Sequence, residues 1–360
     1  MIRVGDFKIS HSMRTTIKDI LDSGRITEGA YVKKTEQLLA KYLNVKEVIL
    51  VTNGTLALKL VADYLKYKYN KKMNVVVPAL TFPATLNPFI SDNNFKCDLC
   101  DVNDNLLIDI DNMTEAQKKK TDIIIPVHLM GYACNMDKIM KEAKKYKWIV
   151  IEDACEAFGA NFKNKKVGSI GDFGCFSFFV SHNVAAGELG AIATNNTKDA
   201  KILRSMKNHG RTGSNLEFKH SYIGSNYKTT EFCAGLCYTQ LLYVNELLRK
   251  RNKNAKFFFE NIKNDNLEPF AVDDNFSPLG YPIRAKSKKY RDYICKQLNK
   301  NDIETRHMFP CLANQKAYKG LFKNKYKIAN ELEDTCFYIG IHTLLKNNDK
   351  QKILSILNGK

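Results

Sequence analysis

Apolar residues in this chain fall into two spacings. The short runs at 47–51, 74–77, 123–127, 148–151, 175–180 and 191–194 are nearly continuous and dominated by Val, Ile and aromatic residues. They predict strands buried on both faces. By contrast, the segments at 32–43, 56–67, 136–146 and 198–207 repeat their apolar positions at helical intervals, which predicts helices laid over such strands. Strands alternating with helices predict an α/β fold with a doubly wound, mostly parallel sheet. A long helical pattern follows at 232–258, and beyond about residue 264 short strand-like and helical segments alternate. A chain of 360 residues exceeds one ordinary core. The expectation is a large domain over 1–250 and a small C-terminal α+β domain over 251–360.

Polar residues gather where the strand patterns end. The first runs into Thr52-Asn53-Gly54-Thr55, the second into Thr81-Phe82, the third into His128, the fourth into Glu152-Asp153 and the fifth into Ser181-His182. In open α/β sheets ligands bind in the crevice outside the carboxyl ends of the strands. A strand, a Gly/Thr turn and a helix start also form an anion site, because the first helical turn carries free N–H groups. A plain capped helix fits the same residues equally well. His182, taken alone, fits a loop histidine as well as a functional one.

Composition narrows the classes. The ten cysteines include Cys97 and Cys100 in a CxxC and Cys233 with Cys237 in a CxxxC, but neither pair has a second at zinc-site spacing. Reduced structural thiols and no metal are expected. The net charge of +18 comes from 56 Lys and Arg against 38 Asp and Glu. These lysines are spread along the chain rather than clustered on a basic face, which argues against nucleic acid. A diffuse positive field still favours small anionic substrates such as nucleotide sugars. There is no run of about eighteen apolar residues, so no membrane span is expected. The N-terminus shows no apolar signal segment, so a cytoplasmic location is expected.

Several stretches then form one ordered pattern: Ser23-Gly-Arg-Ile-Thr-Glu-Gly29, Thr52-Asn-Gly-Thr-Leu-Ala-Leu58, Pro78-Ala-Leu-Thr-Phe-Pro-Ala84, Pro126-Val-His-Leu-Met-Gly131, Ile151-Glu-Asp-Ala-Cys-Glu-Ala-Phe-Gly-Ala160, Val167-Gly-Ser-Ile-Gly-Asp-Phe-Gly174 and Asn226-Tyr-Lys-Thr-Thr-Glu231. The pattern resembles the nucleotide-sugar aminotransferases among the fold type I PLP enzymes, the DegT family, over nearly the whole chain. This resemblance implies an aspartate-aminotransferase-like fold and a homodimer with shared active sites. It places the cofactor phosphate on Gly54, Thr55 and Ser177, with Asn226 reaching the phosphate in the partner subunit. Phe82 would stack on the pyridine ring, Asp153 would face the ring nitrogen and Glu156 would lie beside the ring. A carboxylate there has a chemical purpose, since it keeps the ring nitrogen protonated. Lys228 would contact the sugar diphosphate, and Arg306 would bind a carboxylate or phosphate or else form a surface ion pair.

At the position of His182 the family usually carries a lysine that forms a Schiff base with PLP. Imidazole cannot do so. The resemblance therefore implies PLP or PMP held non-covalently. A branch of the family with the same exchange resembles 3-dehydratases of 4-keto-6-deoxy nucleotide sugars, in which PMP condenses with the C4 ketone, the histidine takes a proton and the C3 hydroxyl leaves. His182 is then the candidate general base. The segments Ile303-Glu-Thr-Arg306 and Phe337-Tyr-Ile-Gly-Ile-His342 resemble that branch too. Some of these dehydratases use a [2Fe–2S] cluster, which needs four cysteine ligands. Cys155 stands where one could lie, yet the loop after Gly210-Arg211 contains no cysteine, so no iron–sulfur cluster is expected. That implies the iron-free type acting on GDP-4-keto-6-deoxy-D-mannose, with glutamate regenerating PMP and a 3,6-dideoxy sugar made for surface polysaccharide. The alternatives are a PLP-dependent sugar aminotransferase and a silent relative that only binds a sugar nucleotide.

Overall fold

The structure, a computed structural model, describes residues 1–213 and 217–359. Part of the cysteine-free loop after Arg211, at 214–216, lies outside the described residues.

Strands β1 (Glu47–Val51), β2 (Met73–Pro78), β3 (Phe95–Cys100), β4 (Ile123–Ile124) and β5 (Ile149–Asp153) come first. A short hairpin of β6 (Asn161–Phe162) and β7 (Lys165–Lys166) precedes β8 (Phe173–Ser177) and β9 (Gly190–Thr194). Seven of them form one sheet in the order β1-β9-β8-β5-β4-β2-β3. Only β9 runs antiparallel to its neighbours, and the remaining pairs are parallel. The fold is therefore the α/β arrangement that the alternating pattern predicts. The parallel direction brings the carboxyl ends of β1, β2, β5 and β8 to one edge. Because β9 is reversed, it begins at that edge, where Gly190 stands beside both Ser177 and Val51.

Asparagine punctuates the helices. Asn53, Asn135 and Asn196 accept N–H bonds at the starts of Gly54–Tyr69, Met136–Tyr146 and Thr197–Lys207. Asn44 and Asn70 adopt the left-handed conformation that ends Ala30–Leu43 and Gly54–Tyr69. Both uses suit a short amide side chain, which caps donors and tolerates positive φ.

Several elements differ from the sequence pattern. The expected strand at 123–127 is regular only over Ile123–Ile124, because Pro126 has no N–H to donate, but the run stays beside β5, with the Pro126 carbonyl accepting from Asp153 and Val127 bridging Asp153. The run at 175–180 leaves the sheet after Ser177, where Phe178 N–H bonds to Leu189 and the Phe178 carbonyl accepts from Ala186. The helix expected over 232–258 is two helices, Glu231–Leu241 and Val244–Asn261. Buried Gln240 exchanges hydrogen bonds with both backbone groups of Ala185, which ties the first helix's end to the loop after His182. Strand β3 is an unanticipated edge strand with an exposed Lys96. It also explains the CxxC, since residues three apart on a strand face opposite sides and burial pushes the Cys97 thiol up to about 12.

After the hairpin of β10 (Arg211–Thr212) and β11 (Lys219–His220), a second sheet contains β12 (Leu267–Pro269), β13 (Tyr281–Ala285), β14 (Thr305–His307) and β15 (Cys336–Ile339). Its order is β12-β13-β15-β14, antiparallel throughout. Phe258, Tyr281, Ile283, Phe337 and Ile339 form its core with the helices Lys288–Lys300 and Asn347–Leu357. The chain's first residues join this side, with Ile2 bridging Ile303. Strand β14 aligns Arg306 with Tyr338, facing the carboxyl edge of the large sheet. Among the described residues, no helix is long and apolar enough to cross a membrane.

Candidate active site

A cleft of about 340 Å³ opens at that edge, closed on its far side by Leu279, Arg306, Phe309 and Tyr338. Of the residues singled out in the sequence, Gly54, Thr55, Phe82, Asp153, Glu156 and Ser177 line it, as do His182 and Arg306. Asn226 and Lys228 do not. Asn226 is exposed and its side chain accepts from the Lys228 N–H, while Lys228 Nζ donates to Asn208 Oδ1 at 2.8 Å.

The cleft floor is built by close approach. A Cβ on Gly54 would stand 2.8 Å from both Cys155 Sγ and Ser177 Cβ, and one on Gly190 would strike the Asn53 carbonyl. Two glycines thus let the helix start lie against the ends of β8 and β9. Asn53 caps Leu56 at 3.0 Å, which leaves the Gly54 and Thr55 N–H groups at the open end of the helix dipole.

Asp153 and its neighbour Glu152 diverge, because successive strand residues face opposite sides. Asp153 Oδ2 accepts from the Thr85 hydroxyl at 2.7 Å and Oδ1 from the Cys155 N–H at 3.2 Å. Thr85 itself rests on Thr81 at 2.9 Å. On the other side, wholly buried Glu152 accepts from Gly168, Ile170 and Gly171 N–H groups and from His128 Nε2 at 3.0 Å. The Cys134 N–H points at His128 Nδ1 at 3.0 Å, so the imidazole proton sits on Nε2 and is donated to Glu152. This pair locks the turn beneath the cleft. Sequence reasoning marked His128 only as the polar residue at the end of the third apolar run and did not mark Thr85, whose signal was a hydroxyl two residues after Pro83 at a strand end.

His182 is half-buried. Its Nδ1 lies 3.1 Å from the Ser177 carbonyl. A carbonyl only accepts, so Nδ1 carries the proton and Nε2 keeps the lone pair. Burial lowers the pKa to about 4, with the Arg251 charge acting the same way and the Ser177 carbonyl opposing. Arg251 is itself buried and is held by the Pro278 and Leu279 carbonyls rather than by a carboxylate. Arg306 Nε and Nη2 both donate to Glu304 Oε1, at 3.2 and 3.1 Å. Phe82 is 54% exposed and meets Phe309 edge to face at 5.7 Å. Glu188 and Tyr338 also line the cleft; of the two, only Tyr338 falls in a stretch marked by the sequence, Phe337 to His342. Among the described residues, no group of three or more His, Cys, Asp or Glu is placed to hold a metal ion.

Comparison with known proteins extends this geometry. The sequence profile of the DegT/DnrJ/EryC1/StrS aminotransferase family matches residues 8–358. GDP-perosamine synthase of Escherichia coli O157:H7 is 28% identical over 318 residues, covering 88% of this chain and 86% of that protein. GDP-4-keto-6-deoxy-D-mannose 3-dehydratase of Escherichia coli O55:H7 is 29% identical over 314 residues, covering 81% of each. The solved structure of the E. coli GDP-4-keto-6-deoxy-D-mannose-3-dehydratase with bound hydrated PLP superposes with a TM-score of 0.90 at 25% identity, covering 99% of both chains. This chain belongs to the DegT/DnrJ/EryC1/StrS aminotransferase family, a PLP-dependent family of aspartate-aminotransferase-like fold.

Proposed function

We propose that this protein is a PLP/PMP-dependent 3-dehydratase of a nucleotide-linked 4-keto-6-deoxyhexose, with His182 as its base. What carries the proposal is an imidazole at the position of the family's lysine, together with a cleft that, among the described residues, no lysine lines. The cleft's groups fit a phosphorylated pyridine. Gly54 and Thr55 offer N–H groups at a helix start with the Ser177 hydroxyl beside them, a favourable setting for a phosphate. Asp153 supplies a carboxylate for the ring nitrogen, Phe82 an aromatic face and Glu156 a carboxyl group beside the ring. PLP or PMP, when bound, supplies an electron sink that stabilises negative charge next to its nitrogen.

The chain's own residues do the rest. His182 has no primary amine, so the cofactor is held non-covalently. Its pKa of about 4 keeps the imidazole neutral near pH 7, and Nε2 can then accept a proton. The Nδ1–H bond to the Ser177 carbonyl fixes the ring and stabilises the imidazolium that forms. Arg306 opens onto the cleft beside Glu304 and would take an anionic part of the substrate. Asn226 and Lys228, off the cleft, would complete the site of a partner subunit in a homodimer. The exposed Phe179 and Val180 at the cleft mouth support such a partner. In this reading residues 1–250 hold the cofactor, residues 251–360 close over the sugar nucleotide, and glutamate restores PMP.

Incubating the protein with PMP and a panel of 4-keto-6-deoxy nucleotide sugars, followed by mass spectrometry, should reveal a 3-deoxy 4-keto product lighter than its substrate by a single oxygen, with PMP oxidised to PLP and its nitrogen released as ammonia. An amino sugar that keeps its C3 hydroxyl would overturn the proposal. It would establish the second reading, a sugar aminotransferase, which the resemblance to GDP-perosamine synthase supports.

A further inference from the structure

We propose that Glu156 is held as a neutral carboxylic acid and donates a hydrogen bond from Oε1 into the cleft. The inference rests on the cleft being the cofactor site described above. Two carboxyl groups, Asp153 and Glu156, lie three residues apart in one turn and line the same cleft. Both cannot easily carry charge there, because like charges in a poorly solvated site disfavour a second ionisation. The hydrogen bonds decide between them. Asp153 receives a donor on each oxygen, from Thr85 and Cys155. Glu156 receives one, the Met130 N–H on Oε2 at 3.1 Å, and among the described residues Oε1 meets no protein donor.

Among the described residues that line the cleft, no free cation compensates. Cys155 stands beside Glu156, Tyr338 and Arg306 face the cleft from the small sheet, and His182 and Glu188 from the loop after β8. Of these only Arg306 is a cation, and two of its nitrogens are already on Glu304. His182 is neutral, and Glu188 adds negative charge. Burial pushes Glu156 up to about 8, with the Asp153 charge adding to it and the Met130 N–H opposing. The group therefore keeps its proton at neutral pH and releases it in mildly alkaline solution.

The consequence is a fixed donor next to the ring. A proton on Oε1 lets Glu156 bond to an oxygen of a ligand lying over Asp153, whereas an ionised Glu156 would repel that oxygen. Glutamine offers an amide donor of similar shape and no titration, so Glu156→Gln separates the two states.

Two measurements test this on the full chain. Infrared spectra of the cofactor-free protein should show the carbonyl stretch of a protonated carboxyl group at about pH 7 that fades with a midpoint near pH 8 and is missing in Glu156→Gln. Titration with PMP should show affinity falling at least about tenfold between about pH 7.5 and about pH 9.5 in the parent protein, but changing less than about twofold in Glu156→Gln. Ionisation of PMP itself is common to both proteins and cancels. A parent protein without a carboxyl band titrating near pH 8 overturns the inference, even if the variant folds poorly. So does a variant with the parent's pH slope. Neither readout needs turnover, so a failed dehydration assay with the band present would count against the reaction and leave Glu156 as assigned.

Discussion

His182 should make the folded protein sensitive to acid, and His182→Asn should remove part of that sensitivity. The imidazole pKa falls from 6.5 to about 4 on folding, first through burial and then through the Arg251 charge. Between those values the unfolded chain binds a proton that the folded one does not. Stability is therefore unaffected by this group above its unfolded pKa and declines as pH drops through the window toward about 4. At about pH 5 the full shift corresponds to a loss of about 2 kcal/mol. Because His182 is only half-buried, solvent screening reduces the expected loss to about 1 kcal/mol. The assay is urea unfolding of both proteins at about pH 7.5 and about pH 5, with the change in stability compared between them. Every other histidine titrates in both proteins and cancels in that double difference. Equal losses for parent and variant, or a larger loss for the variant, would refute the claim that the fold holds this imidazole neutral.

Two further outcomes follow from other contacts. Gly54→Ala should cost about 1–3 kcal/mol in urea unfolding and weaken PMP binding about tenfold, since its Cβ would crowd Cys155 and Ser177 at the ends of buried strands; an unchanged stability and affinity would show that the helix start can shift away. Glu231→Gln should cost about 2–4 kcal/mol in the same assay. The Glu231 carboxylate accepts from Gly29, Tyr31 and Val32 N–H groups at 2.8, 2.7 and 2.8 Å, and an amide would aim a donor at one of them.

Much of the site was legible in the residues because strand ends are marked locally. Thr52 to Thr55, Phe82, Asp153 and Ser181-His182 each follow an apolar run, and a parallel sheet brings such ends to one edge. Less was legible about partners. Glu152 and Asp153 are adjacent carboxylates in sequence; periodicity alone does not say which faces the cleft and which joins His128. Asn226 and Lys228 fall in a motif with Glu231, yet lie off the cleft while Glu231 caps a helix about 200 residues away. The predicted 232–258 helix breaks after Leu241, and Gln240 ties the end of its first part to Ala185, a contact with no local signature.

The sequence by itself determined the strand and helix order, the Asn and Gly punctuation and the presence of an imidazole, His182, just beyond the fifth apolar run. These follow from periodicity, backbone preference and residue identity, which are properties of neighbours along the chain. Only the tertiary structure decided protonation and aim: His182 keeps its Nε2 lone pair because the Ser177 carbonyl takes the other nitrogen's proton, and Glu156 keeps its proton because Asp153 took the better donors. Such states depend on burial and on which distant groups supply hydrogen bonds. They exist only once the fold has brought those groups within reach.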